Sequence, residues 1–81
     1  MPVIVSEQGF NVVLYFNDHD PPHAHIKKAG GETRILLGDA ETEPSVLDSQ
    51  NMPAKDIKKS LALVILYQDF LLQKWEEFRN A

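Results

Sequence analysis

The chain changes its hydrophobic period once, and that change decides what it can fold into. Up to about residue 48, apolar side chains alternate in short runs broken by turn residues; from Pro53 they recur at three- and four-residue steps. Alternation is the mark of half-buried strands, and the longer step that of an amphipathic helix. The expected fold is therefore α+β: a small, mostly antiparallel β-meander of about three to five strands within residues 2–48, packed against one long C-terminal helix over about 53–79. At 81 residues the chain has room for one domain, 1–81, and not for two.

The first strand is expected over residues 2–6, ending at Glu7-Gln8-Gly9. Residues 10–16 follow, with Phe10, Val12, Leu14 and Phe16 on one face and Val13 and Tyr15 on the other. Apolar cover on both faces marks this run as a central strand. Asn, Asp and two prolines break the pattern over 17–22. Strands are expected again over 23–28 and 32–37, separated by Ala29-Gly30-Gly31, with a short last one over 44–47.

In the helix, Asn51 or Ser49 is placed to cap, Pro53 suits the first turn, and Asp56 complements the positive end. Ile57, Leu61, Val64, Leu71, Leu72, Trp75 and Phe78 share one broad face, which Gln68 interrupts. Trp75 reads as a core anchor. Leu63, Leu66 and Phe70 form a second stripe well away from that face. An unbroken helix would be roughly 40 Å long, more than a small sheet needs for cover. Either the helix bends near Gln68-Asp69 or the sheet curls, or the stripe is an interface with a second copy or another protein.

Composition narrows the surroundings. There is no cysteine, which fits a reducing compartment and excludes thiolate metal sites. The start lacks the pattern of a signal peptide, and the longest apolar stretch, residues 61–67, is far too short to span a membrane. A cytoplasmic protein without a membrane partner is expected. The net charge of −4 gives no indication of broad nucleic-acid binding.

All three histidines lie in one stretch, Asp18-His19-Asp20-Pro21-Pro22-His23-Ala24-His25. If 23–25 is extended, His23 and His25 project from the same face about 6–7 Å apart, a spacing that allows both to ligate one divalent metal such as zinc, nickel or iron. Asp18, His19 or Asp20 is placed to complete such a site. His23 or His25 is equally suited to general-base work, oriented by Asp18 or Asp20. The plainer alternative has the acids capping the turn and the histidines bonding to them or to backbone carbonyls. Lys27, Lys28 and Arg34 flank the glycine turn, where they form either an anion-binding face or a solvated hairpin.

The run Phe16-Asn17-Asp18-His19-Asp20-Pro21-Pro22-His23-Ala24-His25-Ile26, the start Met1-Pro2-Val3-Ile4 and the late Trp75 together resemble the bacterial domain-of-unknown-function 4160 family. His19, His23 and His25 match its motif; Ala24 departs from it, standing where the family usually has phenylalanine. The resemblance implies a compact α+β domain. Members are often encoded beside another small protein, in arrangements that look like toxin–antitoxin or regulatory pairs. Two functions are expected from these features. The first is a non-enzymatic protein-interaction or regulatory module, one half of a toxin–antitoxin-like pair. The alternative is a metal-dependent or histidine-based enzyme acting on a phosphate-containing or nucleic-acid substrate.

Overall fold

The structure, a computed structural model, describes residues 3–15 and 19–79. Five strands, β1 (Val3–Glu7), β2 (Phe10–Val13), β3 (His23–Lys28), β4 (Gly31–Leu36) and β5 (Ser45–Gln50), form one antiparallel sheet in chain order. Two of its hairpins close through two-residue turns. Gln8 and Gly9 take φ of 52° and 83°, and Ala29 and Gly30 take 49° and 81°. Positive φ at both central residues is the geometry whose twist matches paired strands, and it pins the registers Glu7↔Phe10 and Lys28↔Gly31.

The alternation read from the sequence is realised on one face. Phe10, Val12 and Leu14, then Ala24 and Ile26, then Thr33, Ile35 and Leu37 are all buried, and they meet Val64, Leu71 and Trp75 from the helices. Burial of such side chains is the main stabilising contribution in a domain of this size, about 1.5–3 kcal/mol for each large one. Strand β2 is paired on both edges, as its two apolar faces require, although β3 holds the middle of the sheet. It ends at Val13, short of the expected 16. Leu14 and Tyr15 continue beyond the ladder, and Phe16 lies outside the described residues.

Strand β5 runs further than expected, to Gln50. Arg34 pairs with Asp48 and Glu32 with Gln50 across a register shift at Leu47. Every residue of β5 is exposed, so its polar second half meets no requirement for burial.

The expected single C-terminal helix is two: α1 (Ala54–Leu66) and α2 (Gln68–Arg79). Tyr67 separates them with φ −105° and ψ 16°, while its N–H still donates to the Leu63 carbonyl at 3.0 Å. The cause lies in Gln68, whose side-chain amide donates to the carbonyls of Leu37 at 2.8 Å, Asp39 at 3.1 Å and Thr42 at 3.2 Å. Tyr67 adds a hydroxyl donated to the Glu7 carboxylate, a bond that holds its phenol above the usual range. The polar residue that interrupts the apolar stripe is thus the clamp between helix and β4–β5 loop.

Neither expected cap is used. Ser49 lies in β5, Asn51 turns with φ 53°, and Pro53 precedes the helix in an extended conformation with no side-chain cap. Asp56 does sit in the first turn, buried, with the Lys28 ammonium 3.4 Å away. No helix among the described residues is long and apolar enough to cross a membrane.

The Gln68 clamp gives a stability prediction. Gln68→Ala strands the buried Leu37 carbonyl and should lower the unfolding free energy by about 1–3 kcal/mol in urea titrations. A loss within about 0.5 kcal/mol, the scale of an ordinary surface change, would show that the clamp is not needed.

Candidate functional site

Because Ala24 and Ile26 face the helices, the alternate residues of β3 face the other way. His23, His25 and Lys27 therefore lie on the uncovered face of the sheet, opposite Leu36, Arg34 and Glu32 of β4. Strand β2 supplies Val13 opposite His25 and Asn11 opposite Lys27. Tyr15, beyond the ladder, sets its ring edge-on to His25 with centroids 4.6 Å apart.

The two imidazoles are oriented by groups that only accept. His25 Nδ1–H donates to the Glu32 carboxylate at 2.7 Å, and His23 Nδ1–H donates to the Pro21 carbonyl at 3.0 Å. In the neutral form each ring therefore carries its basic lone pair on Nε2, the arrangement that suits a general base or a metal ligand. The ring centroids are 5.3 Å apart, and the Trp75 indole lies 5.5 Å from His23. Trp75 is buried as expected of a core anchor, and its Nε1–H has no hydrogen-bond partner.

Charges on this face are balanced in pairs. The Arg34 guanidinium grips Asp48 in a two-pronged bond, with Nε donating at 2.9 Å and Nη2 to the second oxygen. That grip holds the Asp48 carboxyl below the usual carboxylate range. Lys27 donates to the Tyr15 hydroxyl at 2.7 Å, which holds its ammonium above the usual range; Glu32 lies 3.9 Å away. Asp20 accepts from Arg79 at 3.0 Å, tying the histidine turn to the end of α2.

A groove of about 370 Å³ opens where the turn meets the sheet. His19, Asp20, His23 and Arg34 give it polar walls, and Pro21, Leu36 and Leu47 give it apolar ones. Four residues singled out in the sequence are thereby gathered at one place, with His25 and Lys27 beside them on the same face. Lys28 is not among them. It points to the helix side, with its nitrogen 4.5 Å from the Phe10 ring centre and paired to Asp56. Asp18 lies outside the described residues. Among the described residues no three His, Cys, Asp or Glu side chains converge as a metal site needs. For zinc, nickel or iron the face offers the imidazoles of His23 and His25.

Glu32, Tyr15 and Asp48 belong to the cluster but were not singled out in the sequence. The signal for Glu32 was present: a two-residue turn at Ala29-Gly30 sets Lys27 against Glu32 and His25 against Arg34. Asp48 was out of reach, because its pairing depends on a register shift.

On the helix layer the second stripe divides. Leu66 is 69% exposed and Phe70 41%, whereas Leu63 packs against the core edge. Ile65, 49% exposed, joins them unanticipated. A second groove of about 270 Å³, lined by Phe10, Lys59, Ala62, Leu63 and Leu66 with Glu7 and Gln8, runs beside this patch.

A family model described as Domain of unknown function (DUF4160) matches residues 9–76. The chain belongs to that family. No curated protein and no solved structure matches it. Ala24, between the two histidines of β3, is fully buried on the helix side. In this DUF4160 domain it belongs to the core and takes no part in the histidine face.

The Arg34–Asp48 grip has a pH signature. A carboxyl held low stays ionised in the folded chain where its unfolded counterpart already binds a proton, so acidification favours unfolding. Its contribution is present above the usual carboxylate range and is lost as pH falls through the lowered folded value. Asp48→Asn should be modestly less stable than the parent near neutrality, and the gap should close on acidification in thermal melts. A gap that stays constant down to strongly acidic pH would contradict this assignment.

Proposed function

We propose that this DUF4160 chain is a non-enzymatic interaction module, one member of a two-protein regulatory pair of the toxin–antitoxin kind. It docks at the junction of α1 and α2. The observation that carries this reading is the exposure of Leu66 and Phe70 on either side of that junction. Single exposed apolar residues are common, but Leu66 and Phe70, four residues apart on one flank of the helix layer, mark a surface that a partner covers. Val64 and Leu71 share the buried face at helical spacing, which leaves Leu66 and Phe70 outward on consecutive helices. The groove lined by Phe10, Ala62 and Leu63 extends the apolar surface toward β1. The resemblance implies that members are encoded beside another small protein, which favours a separate partner over self-association.

The test is co-expression with the product of a small gene that adjoins this chain's own. The two should co-purify as a complex, and the double variant Leu66→Glu, Phe70→Glu should weaken binding by at least about a hundredfold while the fold persists. A complex that forms equally well with the double variant would remove this surface from the interaction. A stable particle of the chain alone at twice its 9.2 kDa mass, dissociated by the same variant, would identify a homodimer instead.

A further inference from the structure

We infer that the groove at the histidine turn is a binding site for a single nucleotide unit, a phosphate monoester that carries a planar base. Its volume of about 370 Å³ lies at the small end of the range for ligand pockets, which suits a small molecule. Its chemistry is divided. Arg34 and His19 supply donors suited to a phosphate, and Leu36, Leu47 and Pro21 supply apolar surface against which a ring can lie. The register orders these parts, since Leu36 lies across from His23 and Arg34 across from His25. A ligand lying along β4 meets the guanidinium at one end and the leucines at the other.

The Arg34 donors are held in advance. Asp48 takes Arg34 by two prongs and so fixes the plane of its guanidinium. The Pro21 carbonyl holds the His23 ring in place as one wall of the groove, and the rings of Trp75 and His25 pack beside it. Preorganised donors lose little freedom on binding. Asp20, the carboxylate in the groove that would repel a phosphate, is paired with Arg79.

The same charge balance selects the ligand. With Arg34 paired to Asp48 and Asp20 to Arg79, the groove has no large positive excess to hold a bare anion. Inorganic phosphate alone therefore binds weakly, and the apolar half must contribute. A long nucleic acid is disfavoured by the chain's net charge of −4. A nucleoside monophosphate satisfies both halves, whether free or as one unit of a single strand.

The test is an amide chemical-shift titration of the full chain with adenosine monophosphate, uridine monophosphate, adenosine, inorganic phosphate and a short single-stranded RNA. A monophosphate should shift residues of the turn, β3 and β4, and bind at least about tenfold more tightly than adenosine or phosphate alone. His19→Ala and Leu47→Asp change exposed positions, so the fold should survive, and each should weaken monophosphate binding by about tenfold. Arg34→Lys keeps the charge but loses the fork, and should weaken it similarly. RNA binding no tighter than the monophosphate identifies the free nucleotide as ligand; tighter binding that the same variants weaken identifies the strand. No monophosphate-induced shift, inorganic phosphate binding as tightly as the monophosphates, or shifts unaffected by all three variants would overturn the inference.

Discussion

The structure depends on a sheet covered on one face only. Burying Val12, Ile26 and Ile35 beneath α1 and α2 sends their sequence neighbours to the opposite side, because successive side chains of a strand alternate. A slip of one residue in any strand would exchange the faces, placing His25 and Arg34 in the core and Ile26 and Ile35 in water. The left-handed turns at Gln8-Gly9 and Ala29-Gly30 oppose such slips, since each permits one pairing of its strands. The histidine cluster is thus a consequence of core burial: hydrophobic energy sets the register, and the register brings Glu32 within a hydrogen bond of His25.

A second, polar constraint shapes the helix layer. Residues after β4 must cross to β5, and Gly38 makes that turn with φ 69°, where a Cβ would lie 2.1 Å from the Thr42 carbonyl. The carbonyls of this loop need donors, and Gln68 supplies one side-chain amide to three of them. The break at Tyr67 lies beside this clamp, and around it Leu63 rests against the core while Leu66 and Phe70 face solvent. One glutamine therefore links the loop conformation, the kink and the exposed patch.

These two constraints were unequally visible in the chain itself. The apolar alternation of β2 and the buried face of β4 could be read from the sequence, as could the extended run that sets His23 and His25 side by side. The bend near Gln68 stood among the alternatives, but the sequence favoured one continuous helix because residues on both sides of Tyr67 keep a helical period. The caps at Ser49 and Asn51 were misplaced for a local reason. Both residue types favour caps, yet β5 extends through Ser49, and Asn51 serves the turn after it. The anion face was read as three basic residues in sequence, but Lys27 and Lys28 are adjacent in a strand and so point to opposite sides.

By itself the sequence determined the α+β class, the antiparallel order of short strands, the core-facing residues and the clustering of histidines at one turn. Each of these rests on periodicity or turn chemistry within a few residues. Only the tertiary structure decided which partners the functional side chains take: Glu32 for His25, Asp48 for Arg34, Asp56 for Lys28, Arg79 for Asp20. Apart from Glu32, these pairings join residues well separated along the chain. They depend on strand register, on a shift in β5 and on the direction of α2 after its kink. Such choices are made by the packing of the whole domain, where burial of apolar area outweighs any single ion pair.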